Sequence, residues 1–188
     1  AGWCLLGASA ILQPLGFFAR SLSDERLRDG LSWVAMTAMG IFSSLLVFTV
    51  LRDLVLVMMA TLHALTAVTI DFSALQKNSA ILTIVLAASV SLIGFFNARR
   101  LAKVIHVEVP LHNLPAQLHG FRIVQITDIH VGPTIKQGYL ARIVDRVNTL
   151  EADVIAITGD LVDGRVSDLA HHTLPLSRLQ ARHGSYFV

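Results

Sequence analysis

One cysteine, Cys4, occurs in 188 residues, which excludes an intrachain disulfide framework and a thiolate zinc site. Charge is scarce as well. Only 15% of the residues are Asp, Glu, Lys or Arg, against about 25% in an ordinary soluble domain. The two signs nearly cancel, leaving a formal net charge of +2, and no basic run is longer than Arg99 and Arg100. That balance excludes a strongly basic nucleic-acid binder and a highly charged disordered chain. No Gly-x-x-x-x-Gly-Lys-Ser/Thr string is present, so nothing supports a phosphate-cradling P-loop, and there is no internal repeat or low-complexity tract.

What the chain has in abundance is apolar surface, at 54% of residues and a mean hydropathy of +0.63. It is unevenly placed. Residues 1–103 carry 8 of the 15 cations but 5 of the 13 acids, and seven of the eight histidines lie in residues 104–188. A membrane-spanning helix needs about 20 predominantly apolar residues. Residues 1–19, 31–51 and 80–96 meet that need, the second with Trp33 near one end where an indole favours the interface. Residues 54–70 are apolar too, separated from the second run only by Arg52 and Asp53. They form either a fourth span or a continuation of the second helix past the bilayer surface. With three spans, Arg20, Arg26, Arg28, Arg99, Arg100 and Lys103 share one side against Lys77 alone, whereas four spans distribute the cations evenly. The sharper asymmetry favours three spans and a cytoplasmic C-terminal half. A cleaved signal peptide is a poorer account of residues 1–19, which show neither a basic start nor a cleavage site.

After Lys103 the pattern changes to short strand-like runs. We divide the chain into a membrane domain over 1–103, a linker with a first strand over 104–120, and an α/β segment over 121–188. Val104–Val109 alternates loosely, and Pro110 and Pro115 mark the linker. Phe121–Ile126 reads as a buried strand ended by Thr127 and Asp128. Ile135, Tyr139, Ile143, Val147 and Leu150 recur at helical spacing, and Val154–Thr158 is a second strand ended by Gly159 and Asp160. Strand, helix, strand at this length is a parallel crossover, which brings the two strand ends side by side. A helical stretch broken near Pro175 and a third strand over Ser185–Val188 follow.

Functional groups of open parallel sheets gather beyond the carboxyl ends of the strands. Two such ends here carry Asp128, His130 and Asp160. Adjacent strands lie about 4.8 Å apart, so two carboxylates and an imidazole converge on one point. That is a mixed N/O donor set suited to Mn, Fe, Zn or Co and less suited to Ca. Read singly, an Asp after a strand is more often a cap or a turn residue; the combination is what points to a metal.

The strings GFRIVQITDIHVGPTI and DVIAITGDLVDG, with the approach segment VEVPLHNLP and the closing RHGSYFV, resemble the calcineurin-like metallophosphoesterases. More narrowly they resemble the membrane-anchored branch, in which helices precede the phosphoesterase domain. The resemblance implies a helical transmembrane anchor followed by the first half of an α/β/β/α sandwich. It implies that Asp128 and His130 are ligands of a first metal and that Asp160 bridges two. Asp163 falls at a position often acidic in this branch and is read as fixing the loop or supporting a ligand. RHGSYFV resembles the lead-in to the family's Gly-Asn-His-Glu motif, where further ligands lie. The family reaction places two cations about 3.5–4 Å apart and attacks phosphorus in line. The resemblance therefore implies a hydrolase using two divalent ions, of which these three donors hold at most one, so that this chain by itself is expected to be inactive. The expected partners are a membrane and a phosphorylated small molecule or lipid, including the pyrophosphate of a UDP-diacylglucosamine; no nucleic acid is expected. The alternatives are a membrane sensor or scaffold with a degenerate phosphoesterase-like module, and a transporter using His63 and Asp53. His171 and His172 read as a solvated helix surface, and His106, His112, His119 and His183 need no catalytic role.

Overall fold

The computed structural model describes residues 2–19, 21–66 and 71–188, with the side chains of the first helix from Gly7 onward. Arg20 of the charge comparison and residues 67–70 of the ambiguous apolar run lie outside the described residues. Contacts divide the chain into two units, Ala1–Arg100 and Leu101–Val188.

The first unit contains α1 (Gly2–Ala19), α2 (Glu25–Leu65) and α3 (Phe72–Ala98). Asp24 starts α2 by accepting a hydrogen bond from the Leu27 amide at 3.0 Å, and Asp71 starts α3 by accepting from Ala74 at the same distance. Each carboxylate satisfies an amide that the helix itself leaves unpaired. The helices meet on small residues, as helices in lipid do when packing is the main source of attraction. Ala19, Ser32 and Ala35 are buried where α1 crosses α2, and a Cβ placed on Gly16 would lie 2.9 Å from the Ala35 Cβ. Thr83 and Ala87 are the buried residues of α3. Large apolar side chains point outward, among them Leu46 and Ile93, as lipid-facing surfaces require.

Of the described helices, α2 and α3 are long and apolar enough to cross a membrane, and Gly7–Ala19 is a shorter apolar helix. The second apolar run does not stop at Arg52 and Asp53: α2 is unbroken over 41 residues. At 1.5 Å per residue it is about 60 Å long, twice a hydrocarbon core.

The second unit is a three-stranded parallel sheet in the order β1 (Ile123–Ile126), β2 (Val154–Ile157), β3 (Ser185–Phe187). Ile123 pairs with Val154 and Ile126 with Ile157; Ile155 pairs with Ser185 and Ile157 with Phe187. The crossover from β1 to β2 is α4 (Gln137–Asn148), and α5 (Val166–Thr173) with a 3-10 segment over Leu174–Arg178 leads to β3. Helix α4 packs on α5 and on the 3-10 segment. Its buried face is Leu140, Val144 and Val147, at the spacing that one helical stripe presents. Leu140 and Val147 close with Ile126, Ile129, Val131, Ala152, Ile155 and Ile157 into one core. At the start of β2, buried Asp153 accepts from the Arg122 amide at 2.8 Å and pairs with the Arg182 guanidinium at 3.0 Å. One carboxylate thus ties the beginnings of all three strands.

Two features depart from the pattern in the sequence. Residues 104–109 form no strand: Ile105, Val107 and Val109 are 81%, 75% and 69% exposed, because the alternating segment has no ladder to join among the described residues. His172 is buried in α5 with its ring 3.7 Å from that of His171, so only His171 belongs to the solvated surface.

Candidate metal centre

Beyond β1 and β2 the two loops continue side by side, as though the ladder went on. The Thr158 amide donates to the Ile126 carbonyl at 2.9 Å, His130 to Asp160 at 2.9 Å, Val131 to Leu161 at 2.9 Å, and Asp163 back to Val131 at 2.8 Å. Val131 and Val162 pair as an isolated parallel bridge. Backbone hydrogen bonds therefore fix the relative position of two segments about 30 residues apart in the chain, and with it the groups they carry.

Those groups are the three expected from the sequence. Asp128, His130 and Asp160 each present one donor atom, and all three atoms lie within 4.8 Å of one another. His130 Nε2 is 4.0 Å from Asp160 Oδ2. Metal bonds of about 2.1 Å put neighbouring donors about 3 to 4 Å apart, so the cluster fits a shared cation after a small contraction. The donor chemistry, two carboxylates and one imidazole, suits a borderline divalent ion. Without one, the two carboxylates repel.

Each of the three residues sits in left-handed backbone, with φ of 54° at Asp128, 55° at His130 and 41° at Asp160, and Gly159 between the strand and Asp160 has φ 70°. Asp and His tolerate this region better than most residues, yet each such position costs on the order of 1 kcal/mol. The cross-loop hydrogen bonds hold them there.

Two neighbours position the donors. The Asp163 carboxylate lies 2.9 Å from His130 Nδ1, so a proton on Nδ1 leaves the lone pair of Nε2 facing Asp160. Gly132 lies beside this pair, where a Cβ would sit 3.4 Å from the Asp163 Cβ, in ordinary contact. The Thr127 hydroxyl is 2.7 Å from Asp128 Oδ2 and also reaches the Thr158 carbonyl, its one proton serving one acceptor at a time. Gln125 donates to the Thr158 hydroxyl at 2.7 Å, extending the network along the sheet. The sequence hinted at Thr127 and Thr158 only through their place at strand ends. Nothing in it marked Gln125, whose partner lies on the adjacent strand.

The remaining histidines lie apart from this cluster or serve packing. His183 stacks on Phe121 with centroids 5.8 Å apart, His119 Nε2 is 3.3 Å from the Leu114 carbonyl, and His63 meets Phe72 edge-on at 5.4 Å. The donors themselves are open to solvent, with side chains 45% exposed for His130 and 71% for Asp160. An anionic ligand can reach them.

Residues 121–188 match the family model described as calcineurin-like phosphoesterase. The C-terminal unit is thus similar to the calcineurin-like phosphoesterases over those residues. The chain is 43% identical over 108 residues to the transmembrane protein with metallophosphoesterase domain of Danio rerio, covering 57% of this chain and 25% of that protein. It is 41% identical over 107 residues to the protein of the same name from Bos taurus, covering 57% and 24%. It is 40% identical over 53 residues to the UDP-2,3-diacylglucosamine pyrophosphatase LpxG of Chlamydia trachomatis, covering 27% and 16%. The first two are named as transmembrane proteins with a metallophosphoesterase domain, and this chain spans about a quarter of their length. No solved structure matches the chain.

Proposed function

We propose that this chain forms the membrane anchor and the first metal-binding half of a phosphoesterase that cleaves phosphomonoester, phosphodiester or pyrophosphate bonds. The convergence of Asp128, His130 and Asp160 on one point within 4.8 Å carries this reading. In it, Asp128, His130 and Asp160 would hold divalent metal. Bound divalent ions supply Lewis acidity at the phosphoryl oxygens and make water acidic enough to attack. The chain's own residues do the placing. Asp163 keeps the Nδ1 proton of His130 so that Nε2 faces the ion, and Thr127 holds Asp128 in its outward turn. Support of this kind typically accounts for 10–100-fold in metal affinity. Three donors hold one ion at most, so we expect the 188 residues alone to bind Mn weakly and not to turn over.

The membrane part is read as three spans, α1, α2 and α3. Arg26 and Arg28 at the start of α2 and Arg99, Arg100 and Lys103 after α3 support a cytoplasmic side for the C-terminal unit. A tethered site favours substrates held at the bilayer surface, and the name of the LpxG relative supports a lipid-linked pyrophosphate. The test is hydrolysis of a generic phosphodiester and of a UDP-linked diacyl lipid by the complete protein with Mn, beside its Asp160→Ala variant. Mn-dependent turnover lost in the variant is expected. Metal content and turnover unchanged by Asp160→Ala would refute the assignment and leave a scaffold reading in its place.

A further inference from the structure

Helices α2 and α3 run antiparallel, and four contacts fix their register. Trp33 meets Phe95 with ring centroids 6.0 Å apart, Ser91 donates to Ser44 at 3.2 Å, Arg52 donates to Ser79 at 3.1 Å, and His63 meets Phe72 at 5.4 Å. Two of these levels are polar belts. At one, the Arg99 guanidinium lies 4.4 Å from the centroid of Trp33 and 4.9 Å from that of Phe95. At the other, Arg52 reaches Ser79, the Gln76 carbonyl at 3.3 Å and Asp53 at 2.9 Å. Neither helix carries a charged residue between the belts. Arg52 lies nineteen positions after Trp33, and Arg99 twenty positions after Ser79. At 1.5 Å per residue that is about 28–30 Å on each helix, the thickness of a hydrocarbon core.

Helix α2 alone does not choose this placement. Its run from Val34 to Leu65 contains only Arg52 and Asp53 as charges and is about 48 Å long, so some of it must lie outside any single bilayer. Sliding the bilayer toward Leu65 exchanges Ala35–Ser44 for the more apolar Leu54–Leu65, but it also draws Arg52 and Asp53 into hydrocarbon, and the cost of those two charges offsets the gain. Helix α3 decides the matter. The same slide draws Gln76, Lys77 and Asn78 into hydrocarbon with Arg52 and Asp53, and pushes Leu92–Phe96 out. Buried charge is costly there and the apolar exchange does not offset it.

We propose that the hydrocarbon core contacts this protein between the Trp33–Arg99 belt and the Arg52–Gln76–Ser79 belt, and that Leu54–Leu65 is a helical overhang on the aqueous side. The overhang extends about 18 Å past the boundary. It is not a further span. Arg52 is the boundary residue: 23% exposed, it is held across to α3 while its neighbour Asp53 faces outward at 59%. This placement rests on membrane association and is independent of the phosphoesterase reading.

Nitroxide labels on the full chain in phosphatidylcholine vesicles test it, in a Cys4→Ser background with Met36→Cys, Leu46→Cys, Val57→Cys or Ile93→Cys. All four native side chains are exposed in the structure, so the labels perturb little packing. Collision with oxygen reports lipid and collision with a water-soluble nickel chelate reports water. Oxygen is expected to dominate at Met36, Leu46 and Ile93 and the nickel chelate at Val57, so that the logarithm of their ratio changes sign between residues 46 and 57. Any other pattern at Met36 or Val57 overturns the placement.

Discussion

Replacing Asp160 by Asn separates the metal reading from a purely structural one. Asn keeps the volume of the side chain and tolerates the left-handed backbone that φ of 41° demands, so the fold has no reason to change. The electrostatics do change. Two carboxylates within 4.8 Å repel by about 1 kcal/mol even at the dielectric constant of water, and Asn removes that term. Metal-free Asp160→Asn protein is therefore expected to be as stable as the wild type or slightly more so. With Mn the order inverts. An ion at about 100 times its dissociation constant stabilises the folded state by about 2.7 kcal/mol, which slows exchange of amides that open with the unit by about 100-fold. Hydrogen exchange of peptides covering β1 and β2, read by mass spectrometry on the full chain, isolates this unit from the membrane helices. The wild type should show the Mn-dependent slowing and Asp160→Asn should lose most of it at the same Mn concentration. Equal slowing in both proteins would refute the idea that Asp160 is a ligand.

Asp163→Ala should weaken Mn binding by about 10–100-fold, with Asp163→Asn intermediate, and should shift the nitrogen resonances of His130 toward a mixture of tautomers. Unchanged His130 resonances would remove Asp163 from its supporting role. Asp153→Ala leaves the Arg122 amide and the Arg182 guanidinium without their acceptor, and should destabilise the C-terminal unit by about 1.5–3 kcal/mol in urea, with no effect on Mn affinity. Gly16→Val forces α1 away from Ala35, and should lower stability in detergent by about 1–3 kcal/mol without altering the C-terminal unit, as exchange at β2 would show.

The α/β crossover and the clustering of Asp128, His130 and Asp160 were legible in the sequence because they depend on local patterns. The recurrence of Ile135, Tyr139, Ile143 and Val147 reads as a helix in any context, although the face buried deepest is Leu140, Val144 and Val147, and a strand that ends in Asp or Gly-Asp places those groups at the sheet's edge by topology alone. The boundaries moved inward by a few residues at β1 and α4, where Phe121 and Leu150 continue the pattern without joining the element. Other features depended on contacts between distant residues. Arg52 and Asp53 look like a break between two spans until Ser79 and the Gln76 carbonyl are seen to satisfy the guanidinium, which lets α2 continue. Residues 104–109 have the alternation of a strand, but alternation supplies no hydrogen-bond partner. The burial of His172 follows from how α5 lies on its neighbours, which its own sequence does not encode.

Because Asp128, His130 and Asp160 all occupy backbone that glycine enters freely, each is a place where losing the chemistry would relax the chain. A laboratory selection for heat tolerance in metal-free medium would be drawn to these three codons, and only a screen that also demands metal binding would keep them.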